Sequence, residues 1–287
     1  MRPRRLPSAV VMTVVMAVAL GFAPAVSAAA NPELDQLKQQ LDNLAAQGKA
    51  GAAQYWYVDE KTGKVHVAVL EGASDPATKA FIGTGRSGLV ETHTVSAPVT
   101  AYVGGRSAPR LATQQVVHGG QRIDGGNAYC TTGFNLVVDG QPRTLTAGHC
   151  QKFSQTWDLG GVRLGEITSH EYPGRDIAFI TRAADWEAPA AVRQADGSIQ
   201  QITAQARPTL NQSVCKTGAT SGTTCGTVTA LDVTVNYGDG PVYGLAQTTA
   251  YAAPGDSGGS VYSTSTALAL VSGGPQNGGN AFVYPIA

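Results

Sequence analysis

Pro254-Gly255-Asp256-Ser257-Gly258-Gly259 sets one hydroxyl on a turn built almost wholly from glycine. Glycines on both sides leave Ser257 exposed on a tight turn and let backbone N–H groups aim at a bound carbonyl oxygen. A serine hydroxyl is a poor nucleophile by itself. It needs a base, and the base needs a carboxylate to orient it. The rest of the chain must therefore supply those two groups.

Five histidines are available: His66, His93, His118, His149 and His170. His66 and His93 lie in an N-terminal segment, His118 in an expected linker, and His170 just before a Pro-Gly turn. His149 stands in Thr146-Ala147-Gly148-His149-Cys150, at the end of an expected strand and beside a cysteine. That fixed position suits a general base. Asp176 opens the apolar run Ile177-Ala178-Phe179-Ile180, where a carboxylate can be buried against an imidazole.

Around these residues the pattern is almost entirely β from Arg122 onward. Phe134-Asn135-Leu136-Val137-Val138, then Asp139-Gly140, then Arg143-Thr144-Leu145-Thr146 reads as a hairpin. Further strands are expected at 177–180, 227–235, 242–248 and 267–271, separated by turns such as Gly160-Gly161 and Tyr237-Gly238-Asp239-Gly240. Many short strands with glycine-rich turns indicate a sandwich or a barrel, and pattern alone does not choose between them.

Composition agrees. The chain has 287 residues, 35 of them glycine, with 43% hydrophobic, 7% aromatic and 14% charged residues. The hydrophobic share is enough for a core, and the glycines suit turns better than a helical bundle. Twenty basic and 20 acidic side chains cancel to a net charge of zero, so there is no electrostatic footprint for nucleic acid or an anionic membrane.

The N-terminal third reads differently. Arg2, Arg4 and Arg5, an apolar run over 9–22 and the small residues Val26-Ser27-Ala28 form a secretory leader, too short for a stable anchor, with cleavage expected after Ala28 or Ala30. Asn31-Pro32-Glu33 then starts a helix with Leu34, Leu37, Leu41 and Leu44 on one face. Trp56-Tyr57-Val58 and Val65-His66-Val67-Ala68-Val69 flank Lys61-Thr62-Gly63 as a hairpin, and Asp75-Pro76 opens a second short helix. Residues 96–120, rich in Ala, Pro, Gly and Gln, read as a linker.

Export makes the four cysteines readable as disulfides. Three pairings of Cys130, Cys150, Cys215 and Cys225 are possible, of which the local pairing Cys130–Cys150 with Cys215–Cys225 is the simplest. A zinc site would need CxxC-type spacing, which is absent, so no metal and no cofactor is expected.

The order His149, Asp176, Ser257 resembles that of the chymotrypsin-like serine proteases. Four stretches resemble the bacterial streptogrisin and α-lytic protease group: Cys130 with Thr146-Ala147-Gly148-His149-Cys150, Val214-Cys215-Lys216-Thr217-Gly218, Val233-Thr234-Val235-Asn236-Tyr237, and Ala253-Pro254-Gly255-Asp256-Ser257-Gly258-Gly259. The likeness covers 123–287 and, more loosely, a propeptide-like segment around 55–81. It implies an all-β fold of two six-stranded antiparallel β-barrels, near 123–195 and 200–287, preceded by a small α+β propeptide. The implied division is a signal peptide over 1–28, propeptide and linker over 29–118, and a protease domain over 119–287.

The resemblance also implies roles. Ser257 attacks the peptide carbonyl, His149 carries the proton, Asp176 orients the imidazole, and the N–H groups of Gly255 and Ser257 form the oxyanion hole. Ser272-Gly273-Gly274 pairs with the substrate backbone, while Ala250, Val271 and Ala281 suggest an apolar specificity pocket. Glu-selecting members carry a histidine where this chain has Val271, and no acid lies between Gly244 and Pro254 to select Lys or Arg. A buried Lys216–Asp256 ion pair is expected, with Lys where the group more often has Arg.

Two departures stand out. A further disulfide common in the group has no cysteine here, its positions matching Tyr251 and the Asn277-Gly278-Gly279 loop, and the sequence stops at Tyr284-Pro285-Ile286-Ala287 where the group usually continues into a helix. The expected partners are polypeptide substrates and the chain's own propeptide, as folding aid and inhibitor, with no nucleic acid and no membrane, the protein acting as a secreted monomer. Competing readings are a non-catalytic binding protein on the same fold and an esterase using the same triad.

Overall fold

Asn31 caps the first helix, its side chain accepting the Glu33 N–H at 3.2 Å, with Pro32 in the first turn. The structure is a computed structural model describing residues 31–84, 88–105 and 115–287. The leader expected over 1–28 and its cleavage point lie outside the described residues, as do 106–114 of the expected linker.

Helix α1 (Pro32–Ala46) buries Leu34, Leu37 and Leu41. They pack over a hairpin of β1 (Ala53–Asp59) and β2 (Lys64–Leu70), with Trp56 fully buried edge-on to Phe81. Helix α2 (Pro76–Ile82), capped by Asp75, carries the crossover to β3 (Val90–Val95), which lies parallel to β2. This is the small α+β unit the sequence predicts.

Two short strands follow, β4 (Val99–Ala101) and β5 (Gly104–Gly105). They fall inside 96–120, expected as a linker, and their partners lie far along the chain in both barrels. Strands this short carry no periodicity of their own, so only remote partners define them.

The first barrel is built from β6 (Arg122–Gly125), β7 (Ala128–Thr131), β8 (Asn135–Val138), β9 (Gln141–Thr146), β10 (Thr156–Leu159), β11 (Val162–Glu171) and β12 (Ile177–Arg182). Its order is β7-β6-β10-β11-β12-β9-β8, with β5 added outside β7. Because β7 and β8 are joined through Thr132, Gly133 and Phe134, they act as one bent strand, and the ring has six staves. Ile123, Trp157, Leu164 and Ile180 fill its interior.

A small pair, β13 (Ala191–Arg193) and β14 (Ile199–Gln201), and β15 (Ala204–Gln205) lead to the second barrel. That barrel comprises β16 (Ser213–Gly218), β17 (Gly222–Tyr237), β18 (Gly240–Ala252), β19 (Ser260–Ser263), β20 (Thr266–Pro275) and β21 (Gly279–Pro285). The order β16-β19-β20-β21-β18-β17 closes through the β16–β17 pairing, a six-stranded ring. Closure removes the unpaired edges an open sheet would expose. The chain is thus mostly β with two six-stranded rings.

The α+β unit is joined to the second barrel. β1 pairs antiparallel with β17, Tyr55 opposite Val235 and Trp56 opposite Thr234, so the sheet β3-β2-β1 runs on into the barrel wall. Lys38 of α1, almost buried, reaches Asp232 at 3.2 Å and Thr234 Oγ1 at 3.2 Å across the same seam.

Candidate active site

His149 sits on a single 3₁₀ turn, Gly148–Lys152, that follows β9. The disulfide Cys130–Cys150 ties that turn to β7, and Cys215–Cys225 ties β16 to β17. Asp176 lies just ahead of β12, whose Ala178 pairs with Thr146 of β9. The two barrel elements thereby bring Asp176 under His149. The carboxylate accepts the His149 backbone N–H at 3.0 Å and faces Nδ1 at 2.9 Å, while Nε2 lies 2.7 Å from Ser257 Oγ. All three side chains are closed off from solvent. A serine, an imidazole and a carboxylate linked in this order can move a proton off the hydroxyl and return it to a leaving group.

The carboxylate has a further supporter. Ser272 Oγ donates to Asp176 Oδ2 at 2.6 Å and is itself 2.9 Å from the Tyr237 hydroxyl. Burial, and then the Asp176 charge, push the Tyr237 phenol well above its ordinary range, so it stays a neutral hydroxyl. Tyr172 packs edge-on to the His149 ring at 5.6 Å. Sequence reading assigned no role to Tyr172, and gave Tyr237 no role beyond a turn and a resembling stretch. Tyr172 meets His149 within the first barrel and Tyr237 meets Ser272 within the second, contacts between residues distant in sequence that no local pattern carries.

Ser257 follows a turn that only glycine can make. Gly255 has φ +104°, and a Cβ there would lie 2.3 Å from Thr220 Oγ1 and from the Tyr129 ring. The turn is braced by Asp256, whose carboxylate lies 3.0 Å from Lys216 Nζ, with both side chains fully buried. Asp256 also accepts the backbone N–H groups of Thr220, Ser221 and Ala253, and Ser221 Oγ. Burial draws the Lys216 ammonium below the ordinary lysine range, opposed by the Asp256 charge.

The groove is filled by the chain itself. β4 lies antiparallel to β20, Ala101 opposite Gly273 and Thr100 opposite Gly274, and the Tyr102 N–H donates to Ser272 O at 3.1 Å. The Tyr102 carbonyl oxygen accepts two bonds, from Gly255 N–H at 3.0 Å and Ser257 N–H at 3.1 Å. Its ring is fully buried, with the hydroxyl donating to Pro275 O at 2.7 Å. Tyr102 shares a buried apolar cluster with Ala246, Ala252, Val271 and Ala281. Val271 and Ala281, expected from sequence as pocket residues, belong to the same buried cluster as Tyr102. Ala250 is buried but lies outside that cluster, its backbone close against Gly226, whereas Ala246 and Ala252 of the same strand belong to it.

Tyr102 was missed in the sequence, hidden in Thr100-Ala101-Tyr102-Val103-Gly104-Gly105, which reads as loop. The other histidines stand apart from Ser257. His66 stacks on Tyr57 and His93 bonds Tyr55, both in the α+β unit, His118 N–H donates to Gln121 of the first barrel, and His170 is exposed on β11. Among the described residues no group of three or more His, Cys, Asp or Glu could hold a metal ion, and no helix is long and apolar enough to cross a membrane.

Comparison with known proteins gives both halves of the chain a counterpart. Residues 32–85 match the family model described as the alpha-lytic protease prodomain. Streptogrisin-A of Streptomyces griseus is 35% identical over 257 residues, 88% of this chain and 80% of that protein. Streptogrisin-D of the same organism is 36% identical over 240 residues, 80% of this chain but only 57% of that longer protein. A solved structure of a glutamic-acid-specific serine protease, described as using a histidine triad in substrate binding, is similar with a TM-score of 0.55 at 38% identity, covering 59% of this chain and 93% of that one.

Proposed function

The chain belongs to the streptogrisin group of chymotrypsin-like serine proteases and is a serine endopeptidase with a propeptide. We propose that it is an exported zymogen that cuts after aromatic or apolar side chains through His149, Asp176 and Ser257, and that its first substrate is its own Tyr102–Val103 bond. The observation carrying this is the Tyr102 carbonyl oxygen, held 3.0 and 3.1 Å from the N–H groups of Gly255 and Ser257. Two fixed donors aimed at one carbonyl stabilise the charge that develops there on attack.

In the proposed reaction Ser257 Oγ forms a bond to the Tyr102 carbonyl carbon as its proton passes to His149 Nε2. Asp176 holds the imidazole tautomer and stabilises the imidazolium. The oxyanion rests on Gly255 and Ser257. Collapse breaks the bond to Val103 nitrogen, which takes the proton from His149, leaving Tyr102 as an ester on Ser257. Water, deprotonated by His149, then attacks the ester carbonyl and releases a carboxylate at Tyr102 while Ser257 recovers its proton. On this reading the propeptide proper ends at Tyr102, inside the 29–118 stretch expected from sequence as propeptide and linker. The leader over 1–28 supports export, and the tail lying in the groove supports the propeptide as inhibitor.

The pocket supports a neutral ring over a charged side chain. It is apolar around Tyr102, with Val271 in place of a histidine, and the chain's other histidines lie elsewhere, unlike a glutamic-acid-specific relative that uses a histidine triad in substrate binding. Ser257→Ala tests the assignment: its kcat should fall by about 10⁶. Cleavage dominated by Glu, Lys or Arg would overturn the pocket reading, and near-normal hydrolysis by Ser257→Ala would overturn the nucleophile.

A further inference from the structure

The chain is held on both sides of the Tyr102–Val103 bond. β5 pairs antiparallel with β7, Gly104 opposite Tyr129 and Gly105 opposite Ala128, so the residues after the bond lie as an added strand on the first barrel. At Gly104 the fit is closed. A Cβ there would lie 2.0 Å from Cε1 and Cζ of the Tyr129 ring, far inside contact distance. At Gly105 a Cβ would meet nothing within 4 Å. Neither glycine has a positive φ, so the backbone would accept another residue at either place. The difference is side-chain space alone.

The Tyr129 ring has little freedom to swing away. Its hydroxyl is hydrogen-bonded to Thr220 Oγ1 at 2.9 Å, and Thr220 in turn donates to Pro254 O at 2.7 Å. The Arg122 guanidinium lies 3.9 Å from the ring centroid. The same ring packs against Gly255, whose N–H holds the Tyr102 carbonyl. A side chain that pushed on Tyr129 would therefore disturb the turn that stabilises the reacting carbonyl as well as the docking of the strand.

We propose that Tyr129 is a specificity-determining residue that makes the enzyme select glycine at the second position after the scissile bond. The substrate class is polypeptide with an aromatic residue, then any residue, then glycine. The inference rests on the proposed cleavage at Tyr102–Val103 and adds a requirement on its far side.

Self-processing of the full chain is the test. Gly104→Ala should slow conversion of the zymogen by about tenfold or more, as overpacking at a closed site does. Gly105→Ala should stay within about twofold of the wild type, since no neighbour meets its Cβ. Adding Tyr129→Ala to Gly104→Ala should bring back most of the lost rate. Because Tyr129→Ala can loosen the Gly255 turn, a second measurement uses the mature wild-type enzyme on the peptide Val-Thr-Ala-Tyr-Val-Gly-Gly-Arg and its analogues with alanine at the sixth or the seventh place. The sixth-place alanine should lower kcat/KM by about tenfold or more and the seventh by little. Equal processing of Gly104→Ala and wild type, or equal rates on all three peptides, would overturn the inference while leaving the cleavage assignment standing. A wild-type chain uncut after Tyr102 would overturn both.

Discussion

The Lys216 ammonium lies 3.0 Å from Asp256 Oδ2, and neither side chain meets solvent. Lys216 arrives from β16 and Asp256 from the turn that carries Ser257, so the pair fastens that turn to the second barrel wall. The ammonium also donates to Gly222 O at 3.0 Å. Lys216→Met would strand a buried carboxylate, at a cost of about 3–5 kcal/mol. Loss of activity and a lower Tm should appear together in that variant. Full activity in Lys216→Met would show that the turn keeps its shape without the cation.

Tyr102 offers a test of the pocket from the substrate side. Tyr102→Ala removes a fully buried ring, worth about 3–5 kcal/mol, and should slow self-processing by roughly 10²–10⁴-fold. Tyr102→Phe removes only the bond to Pro275 O, worth about 0.5–1.5 kcal/mol, and should slow it by less than about tenfold. Following the zymogen band with time distinguishes the two. Equal rates for Ala and Phe would mean that the ring does not drive docking.

Much of this was legible in the sequence, for a physical reason. Ser257 lies in a glycine turn whose chemistry is local, His149 stands beside a cysteine at the end of an expected strand, and Asp176 opens the apolar run 177–180. The hairpin at 134–146 and both helix starts are likewise signalled by neighbours in sequence. What escaped was non-local. β4 is three residues long and exists because Gly273 and Gly274 offer it an edge, far away in the chain. The sixteen-residue β17 shows alternation only over its second half, since Gly222-Thr223-Thr224-Cys225-Gly226 carries no apolar pattern. Its pairing with β1 joins two segments separated by well over a hundred residues.

Acidification should loosen the zymogen through His93. Its Nε2 lies 3.0 Å from the Tyr55 hydroxyl, and the Tyr55 ring packs on Phe282 of the second barrel at 4.8 Å. Burial holds His93 below its ordinary value, His66 lowers it further and Glu91 opposes them. The unfolded chain, near the ordinary value of about 6.5, therefore takes up the proton first. Stability from the neutral ring is complete above about pH 6.5 and is lost as pH falls through the lower folded value. The Tm of the uncut Ser257→Ala zymogen should drop between pH 7.5 and pH 5.5, and His93→Gln should reduce the drop. An unchanged drop in His93→Gln would place the acid sensitivity elsewhere.

Lys38 tests the seam between the α+β unit and the barrel. Its ammonium reaches Asp42 at 3.1 Å, Asp232 at 3.2 Å and Thr234 Oγ1 at 3.2 Å. Asp232 is exposed, so solvent screens much of that pair, and the buried bond to Thr234 is the stronger contact across the seam, Asp42 lying on α1 beside Lys38. Lys38→Met should weaken inhibition of the mature enzyme by added propeptide by about tenfold, measured as a rise in Ki. An unchanged Ki would mean that the β1–β17 pairing alone holds the propeptide.

The most direct test of the whole account is the N-terminal sequence and intact mass of the protein formed when purified wild-type zymogen first converts, read beside Ser257→Ala treated in the same way. The account predicts a new N-terminus at Val103, a released fragment ending at Tyr102, and no conversion of Ser257→Ala. A first cut at any other bond, or conversion of Ser257→Ala at the wild-type rate, would contradict it.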